Sequence, residues 1–262
     1  MTSYALKQHD NSSHTNGKIT MFNDPNLLIL ALVAVTLGAA LQSLAGFGIG
    51  VIAAPILVMI DPAFISAPIL MMGLVLSLLN SIHYRQQLKF GNIGVALFGR
   101  FAGSLLAVVL LLLLPPIFFT LCFAVFIMLC VLLSYSHFHI KYSPRNLFIG
   151  GFFSGLAGTT TSVGGPPIAM VYQNSDLNST RAELGLFFLI ATLISLTLLL
   201  ISGNFSYHQL QLTLPLLPAI FLGFAISLWL GKRFKPNYLK PAIAILSLTS
   251  SAIIVLQLVN DL

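Results

Sequence analysis

Long uninterrupted apolar stretches are the feature of this sequence that most limits its fold. Six of them are about 20 residues long, the length that an α-helix needs to cross the hydrocarbon core of a bilayer. They cover about residues 63–84, 92–114, 117–136, 181–202, 211–230 and 239–259. Each is bounded by proline, glycine or charge. The sequence therefore predicts an all-α protein that crosses the membrane several times.

The composition excludes an ordinary soluble domain. Hydrophobic residues make up 57% of the chain and charged residues only 7%, whereas soluble domains are about half apolar and a quarter charged. The net charge of +6 is then interpreted as a determinant of membrane topology and not as a nucleic-acid-binding surface. Residues 1–26 are rich in Ser, Asn and His and are expected to form a disordered tail, not a cleavable signal peptide.

Two further apolar segments do not fit one straight helix each. Residues 27–60 are too long for a single span and contain Gly46, Gly48 and Gly50. Residues 147–173 are interrupted by a run of hydroxyl residues, glycines and prolines: Gly158, Thr159, Thr160, Thr161, Ser162, Gly164, Gly165, Pro166 and Pro167. Both segments are predicted to be broken helices or re-entrant helical hairpins.

A single offset along the chain relates the two interruptions. The shift that places Gly46 on Gly158 also places Pro55 on Pro167, Gly73 on Gly185, Gly91 on Gly203 and Asn92 on Asn204. Beyond residue 205, Gly99 with Gly103 best matches Gly223 with Ser227, which requires a 12-residue insertion. We interpret the pattern as an internal duplication. Each half then has one broken segment and three spans, about eight membrane segments in all.

The positions of Lys and Arg decide between two topologies. If each broken segment returns to the side it entered, only Lys7 and Lys18 lie on one side. Nine basic residues then lie on the other: Arg85, Lys89, Lys141, Arg145, Arg181, Lys232, Arg233, Lys235 and Lys240. If each broken segment crosses once, the counts become five and six. The bias favours hairpins, two inverted halves, and both chain termini outside the cytoplasm.

The predicted organisation follows from these boundaries. The tail, residues 1–26, precedes a first transmembrane repeat at 27–136, a basic cytoplasmic linker at 137–146 and a second repeat at 147–262. Cys122 and Cys130 lie within one apolar run and indicate neither a disulfide framework nor a metal site. No phosphate-binding loop sequence and no cofactor motif is present.

Polar residues within the apolar segments favour an anionic ligand. All six carboxylates (Asp10, Asp24, Asp61, Asp176, Glu183 and Asp261) fall in tails, loops or span ends, so none is expected at the midplane to bind a cation. Arg100 lies about 12 Å along its helix from Asn92, at 1.5 Å per residue. It is either the countercharge for an anion or a residue whose side chain snorkels to the headgroups.

The two interruptions supply further candidate ligands. Their glycines expose backbone N–H groups, and Pro55 and Pro167 suit the early turn of a returning helix, whose positive end favours anions. The predicted substrate site comprises Gln42, Gly46, Gly48, Gly50, Pro55, Arg100, Gly158, Thr159, Thr160, Thr161, Ser162, Gly164, Gly165, Pro166 and Pro167. For Gly99 and Gly103 close helix packing is the favoured role.

Two motifs carry a resemblance to a known family. Gly46-Phe47-Gly48 with Ala53-Ala54-Pro55, and Ser154 to Gly158 followed by Gly164-Gly165-Pro166-Pro167, are similar to the TauE/SafE family of sulfite and organosulfonate exporters. The resemblance implies a permease of the cell membrane for small sulfur-containing anions. The chain departs from the family's fuller glycine pattern at Ile49, Val51 and Ile52, and in the hydroxyl run of residues 159–162.

The favoured function is a secondary transporter that exports or exchanges a small anion, sulfite or an organosulfonate, by alternating access around the paired interruptions. Three alternatives remain open: an uptake permease for another small anion or organic acid, an intramembrane enzyme with Ser154 or Ser162 as nucleophile, and a membrane subunit without transport activity. The expected partners are the substrate anion and the lipid bilayer, and a homo-oligomer is compatible with the sequence.

Overall fold

All regular secondary structure is helical in the described part of the computed structural model, which comprises residues 21, 24–46, 48–88, 91–115, 118, 140–172 and 175–231. The α-helices are α1 (Pro25–Ala45), α2 (Gly50–Ile60), α3 (Ala67–His83), α4 (Ile93–Leu113), α5 (Pro144–Thr161), α6 (Gly165–Val171), α7 (Leu177–Ile201), α8 (Tyr207–Thr213) and α9 (Leu217–Gly231). Three 3-10 turns lie at Pro62–Phe64, Arg85–Gln87 and Leu214–Leu216. The predicted all-α fold is confirmed for these residues.

Within the described ranges, four helical stretches are long and apolar enough to cross a membrane: Pro25–Leu44, Ile93–Leu113, Ser179–Ile201 and Tyr207–Gly231. Large apolar side chains such as Phe98, Leu113 and Ile201 are exposed on them, as expected where lipid and not water surrounds the helices. Predicted spans 92–114, 181–202 and 211–230 correspond to these stretches, and span 63–84 to α3 with the turn before it. Span 117–136 apart from residue 118, span 239–259, most of the tail and both cysteines lie outside the described residues.

The first broken segment folds back on itself as a helical hairpin. The Asp24 carboxylate caps α1 by accepting the Asn26 N–H at 2.8 Å, and α1 ends where Gly46 adopts a left-handed φ of 75°, which glycine adopts without steric cost. The chain reverses through Gly48 (φ 90°) before α2 begins. α2 then runs along α1, since a Cβ added to Gly38 would lie 3.0 Å from the Ile49 carbonyl oxygen.

The second broken segment forms a similar hairpin. α5 begins at its N-cap Ser143, which accepts the Asn146 N–H at 3.3 Å, and it ends at Ser162, whose φ of 64° is left-handed. α6 runs back along α5, because a Cβ on Gly150 would approach the Pro167 carbonyl oxygen to 3.0 Å. Each predicted broken segment is thus two helices joined by a chain reversal.

The second break is shorter than predicted at both ends. The sequence places the interruption at residues 158–167, but α5 stays helical through Thr161 and α6 restarts at Gly165. Thr160 and Thr161 fit inside the helix because their hydroxyls donate to the carbonyls of Leu156 and Ala157, at 2.8 and 2.7 Å. The arms of both hairpins are also unequal, with 21 and 11 residues in the first and 18 and 7 in the second.

Three helix pairs make the most extensive contacts: α4 with α5, α1 with α9, and α3 with α7. The two largest buried apolar clusters lie on either side of the α3–α7 contact. One joins α1, α2, α3 and the α8–α9 segment, and the other joins α4, α5, α6 and α7. Ile49 of the first reversal and Val163 of the second both belong to the first cluster, and a Cβ on Gly50 would overlap the Ser162 carbonyl, so the two breaks meet in the protein interior.

Candidate functional site

A cavity lies where the two helix breaks meet. Its walls come from both breaks and from α3, α4 and α7: Gln42, Gly48, Ile49, Ile69, Leu70, Gly73, Ser77, Arg100, Gly158, Ser162, Gly164, Gly165, Phe188 and Thr192. Seven of the fifteen predicted site residues are therefore brought together in one place: Gln42, Gly48, Arg100, Gly158, Ser162, Gly164 and Gly165.

Arg100 is the charged residue of this cavity and is 1% exposed. Its Nη1 donates to the carbonyl oxygen of Ser154 and, at 2.9 Å, to the Ser154 hydroxyl. Its Nη2 donates to the Ser195 hydroxyl at 2.9 Å. The guanidinium is thus held in the interior between α5 and α7, and does not extend along α4 to the end of the helix as a snorkelling side chain would.

The positive charge of Arg100 has no carboxylate partner within 4.0 Å among the residues that the structure describes. Its hydrogen-bond acceptors there are neutral oxygens, and its Nε–H is buried without any acceptor. A buried charge is strongly unfavourable unless it is paired. A cation in a cavity with neutral walls and an unused donor is suited to bind an anion.

Glycines let α4 and α5 approach closely enough to create this arrangement. A Cβ on Gly99 or Gly103 of α4 would overlap backbone atoms of α5, and a Cβ on Gly151 or Gly155 of α5 would overlap backbone atoms of α4. The packing role predicted for Gly99 and Gly103 is confirmed. The close contact places Arg100 opposite Ser154. A Cβ on Gly155, the residue after Ser154, would overlap the backbone carbonyl oxygen of Arg100.

Two more glycines leave room for the guanidinium. A Cβ on Gly158 or on Gly164 would overlap Nη1 of Arg100. The Arg100 side chain therefore occupies space that any other residue at these two positions would fill. This gives Gly158 and Gly164 a physical role at the site that differs from exposing backbone N–H groups.

The hydroxyl run of residues 159–162 divides into different roles. Thr159 bonds to Ser104 at 2.9 Å and to Ser195 at 2.8 Å, and so extends the hydrogen-bond network of Arg100. Thr160 and Thr161 bond to the backbone of α5. Only Ser162 of the four lines the cavity, and its hydroxyl donates to the Ser66 carbonyl at 2.8 Å.

Gln42 holds the first break together. Its Oε1 accepts the Ile49 N–H, which closes the chain reversal, and its Nε2 donates to Ser77 of α3 at 3.4 Å. Gln42 is 6% exposed and lines the cavity. The side chain thus connects the first break to α3 at the cavity wall.

The remaining predicted site residues do not line this cavity. Gly50 packs against the Ser162 carbonyl, where a Cβ would overlap it. Pro166 and Pro167 stand in the first turn of α6, whereas Pro55 is the sixth residue of α2 and so lies beyond the early turn predicted for it. Gly46 lines a neighbouring cavity.

Sequence reasoning missed the polar side chains of α3 and α7 that line the cavity or bind Arg100: Ser77, Thr192 and Ser195. Ser77 and Thr192 line the cavity, and Ser195 binds Arg100. Isolated Ser and Thr residues in apolar helices are common, and no local pattern distinguishes these three. Their role depends on which face of α3 and α7 packs against the breaks.

The fold and the cavity define a class: a multi-pass membrane protein with a polar interior site at paired helix breaks. A family model described as sulfite exporter TauE/SafE matches residues 30–254. The chain therefore belongs to the TauE/SafE sulfite exporter family, a family of membrane transporters, as the sequence motifs predicted. No curated protein and no solved structure matches this chain.

Proposed function

We propose that this protein is a secondary transporter that exports or exchanges a small sulfur oxyanion, sulfite or an organosulfonate, through the cavity at Arg100. The observation that carries the proposal is the buried guanidinium: it has neutral hydrogen-bond partners, an unused Nε–H and no carboxylate within 4.0 Å in the described ranges. An oxyanion supplies both the missing charge and the missing acceptor. Membership of the sulfite exporter family supports the choice of anion.

We further propose two inverted halves, residues 27–136 and 147–262, joined by the linker at 137–146. Close contacts that map onto one another when the halves are exchanged support this. A Cβ on Gly73 would meet Thr192 at 3.8 Å, and a Cβ on Gly185 would meet Asn80 at 3.3 Å. The offset that relates the two halves carries Gly73 to Gly185 and Asn80 to Thr192.

Two other contacts follow the same rule. Gly50 packs against Ser162, and the same offset carries Gly50 to Ser162, so this contact maps onto itself and would lie on the axis between the halves. Gly99 packs against the Phe148 carbonyl, and Gly223 packs against the Thr36 carbonyl. The offset carries Thr36 to Phe148, and Gly223 is the counterpart of Gly99 once the 12-residue insertion is counted. α8 and the turn Leu214–Leu216 account for the insertion before α9.

Alternating access would then consist of a rocking of the two halves around the shared cavity. The proposed topology places the basic loops inside the cell and both termini outside. At an interior-negative potential of about 100 mV, moving one monovalent anion outward releases roughly 2.3 kcal/mol. Export therefore proceeds without a coupling ion if the substrate carries one negative charge.

Flux into and out of proteoliposomes tests the proposal. We expect the purified chain to move sulfite or a short sulfonate, faster when an imposed potential drives the anion, and not to move acetate or a monovalent cation at comparable rates. Transport of a cation without any anion flux would contradict the assignment. Movement of carboxylates in preference to sulfur oxyanions would favour the alternative, a permease for another organic acid.

The contacts of the two candidate nucleophiles support transport over catalysis. Ser154 Oγ accepts a hydrogen bond from Arg100, and Ser162 Oγ donates to a backbone carbonyl. A serine nucleophile needs a neighbouring base to take its proton. Arg100 is a donor and provides no such base.

A further inference from the structure

A second cavity lies beside the Arg100 cavity and shares Gln42 and Phe188 with it. Its polar wall includes Asn80 and Arg181. Neither residue belongs to the site described above. Gln42 and Phe188 line both cavities and therefore lie where the two cavities adjoin.

Arg181 places a positive charge on the wall of this second cavity, as Arg100 does in the first. Its Nε donates to the Leu44 carbonyl at 3.0 Å, and its guanidinium carbon lies 5.9 Å from the centre of the Tyr84 ring. Its Nη2 is buried and has no hydrogen-bond acceptor. No carboxylate of the described chain lies within 4.0 Å of it. The backbone bond and the ring fix the side chain and leave one donor available.

Asn80 presents the complementary group. The residue is 5% exposed, and its Nδ2 donates to the Ser43 hydroxyl and to the Leu76 carbonyl, both at 3.1 Å. Its Oδ1 is buried without a donor. The cavity therefore offers a charged donor on one residue and an unsatisfied acceptor on another, each of which costs free energy until it is paired.

We propose that this cavity is a second binding site, for a small oxyanion that carries a hydrogen-bond donor, such as hydrogensulfite or a hydroxysulfonate. The anion oxygens accept from Arg181, and the ligand's O–H donates to Asn80. The inference rests on the proposed transport function and topology, in which Arg181 lies on the cytoplasmic side. The site receives the anion there before it passes Gln42 and Phe188 to reach Arg100.

Sulfite flux from the cytoplasmic face tests the role of Arg181. In Arg181→Gln we expect the half-saturating sulfite concentration to rise about tenfold or more, because a charge-assisted hydrogen bond is lost, while the maximal rate changes little. Arg181→Lys should retain part of the affinity. Arg85→Gln is the matched control, since Arg85 is exposed at the neighbouring helix end and lines neither cavity.

The outcomes separate this inference from the function on which it rests. No flux in the wild type contradicts the transporter proposal itself. Wild-type flux with an unchanged half-saturating concentration in Arg181→Gln contradicts only the second site. Thermal unfolding of each purified variant establishes that it is folded before its kinetics are compared.

The donor requirement has its own test. Ethanesulfonate and 2-hydroxyethanesulfonate have the same charge and differ by one hydroxyl, so competition with sulfite at the cytoplasmic face measures the contribution of the ligand's O–H. We expect the hydroxylated anion to compete better in the wild type, and Asn80→Leu to remove the difference. Equal competition by both anions in the wild type would overturn the pairing with Asn80.

Discussion

Arg100 is a residue at which binding and stability have opposite requirements. Its guanidinium is 1% exposed and bonds to Ser154 and Ser195. Hydrogen bonds to a charged group contribute about 1.5–3 kcal/mol each, but the desolvation of a buried ion costs several kcal/mol. An anion in the cavity would restore the balance, so the ligand-free state carries an unfavourable charge that ligand binding relieves.

Replacing Arg100 should separate these two effects. We expect Arg100→Gln to abolish sulfite flux while the melting temperature without sulfite stays the same or rises, because the uncompensated charge is gone. Sulfite at a hundred times the Kd of the Arg100 cavity should stabilise the wild type by about 2.7 kcal/mol more than the variant, in which only the Arg181 cavity can still bind it. Thermal unfolding with and without sulfite measures both. Equal stabilisation of variant and wild type would show that sulfite binds elsewhere.

The sequence identified Arg100 but not its partners. Arg100 stands out because it is the basic residue within an apolar run. Ser154 and Ser195 are 54 and 95 residues away in the chain and reach it only after α4, α5 and α7 have packed. Side-chain partners across helices depend on tertiary packing, which the periodicity of one segment does not encode.

At the scale of elements, the α4–α5 pair positions the site. Backbones that touch through Gly99, Gly103, Gly151 and Gly155 leave no space for a side chain between them. Small residues at such an interface gain dispersion contacts along the whole helix, the main source of helix association in lipid. A shift of α4 relative to α5 would also move Arg100 away from Ser154.

Two alanine substitutions on α4 test this packing with the same chemical change. Gly103→Ala should destabilise the protein by about 1–3 kcal/mol, the usual cost of overpacking, and lower the sulfite flux. Gly94→Ala should be neutral or stabilising, because nothing lies within 4 Å of a Cβ there and alanine favours the helix by about 1 kcal/mol. Thermal unfolding compares them. Equal melting temperatures for the two variants would contradict the close approach.

The two breaks show how far sequence patterns define an element. Clustered glycines and prolines predicted that both segments are interrupted, and both are. The pattern did not predict the end of α5, because Thr160 and Thr161 satisfy their hydroxyls on the helix's own carbonyls and so do not break it. Helix ends depend on such local hydrogen bonds, and hydroxyl content alone does not reveal them.

At the scale of the whole molecule, contacts between residues far apart in the sequence show that the helix ends form two groups. His208, at the start of α8, lies 3.9 Å from Asp61, at the end of α2. Arg181, at the start of α7, lies beside Tyr84, at the end of α3, and near Gly231, at the end of α9. The proposed topology puts the first group outside the cell and the second inside, so each group is on one side.

Thiol labelling can test that topology directly. Cys122 and Cys130 are the chain's two cysteines, so replacing both by alanine gives a background for single cysteine substitutions. An impermeant maleimide should label His208→Cys in intact cells, because the His208 side chain is 55% exposed and faces outward in this topology. Arg85→Cys should react only after permeabilisation, since Arg85 is also exposed but lies in a loop that this topology places inside the cell.

The pattern of labelling bears on the mechanism as well as on the topology. Labelling of Arg85→Cys in intact cells and protection of His208→Cys would invert the molecule and put the Arg181 cavity on the outer face. Reaction of both from outside would mean that α3 and α7 do not connect opposite sides, which is incompatible with inverted halves. A rocking motion of the two halves exposes the Arg100 cavity alternately to each side only if these two positions lie on opposite sides of the membrane.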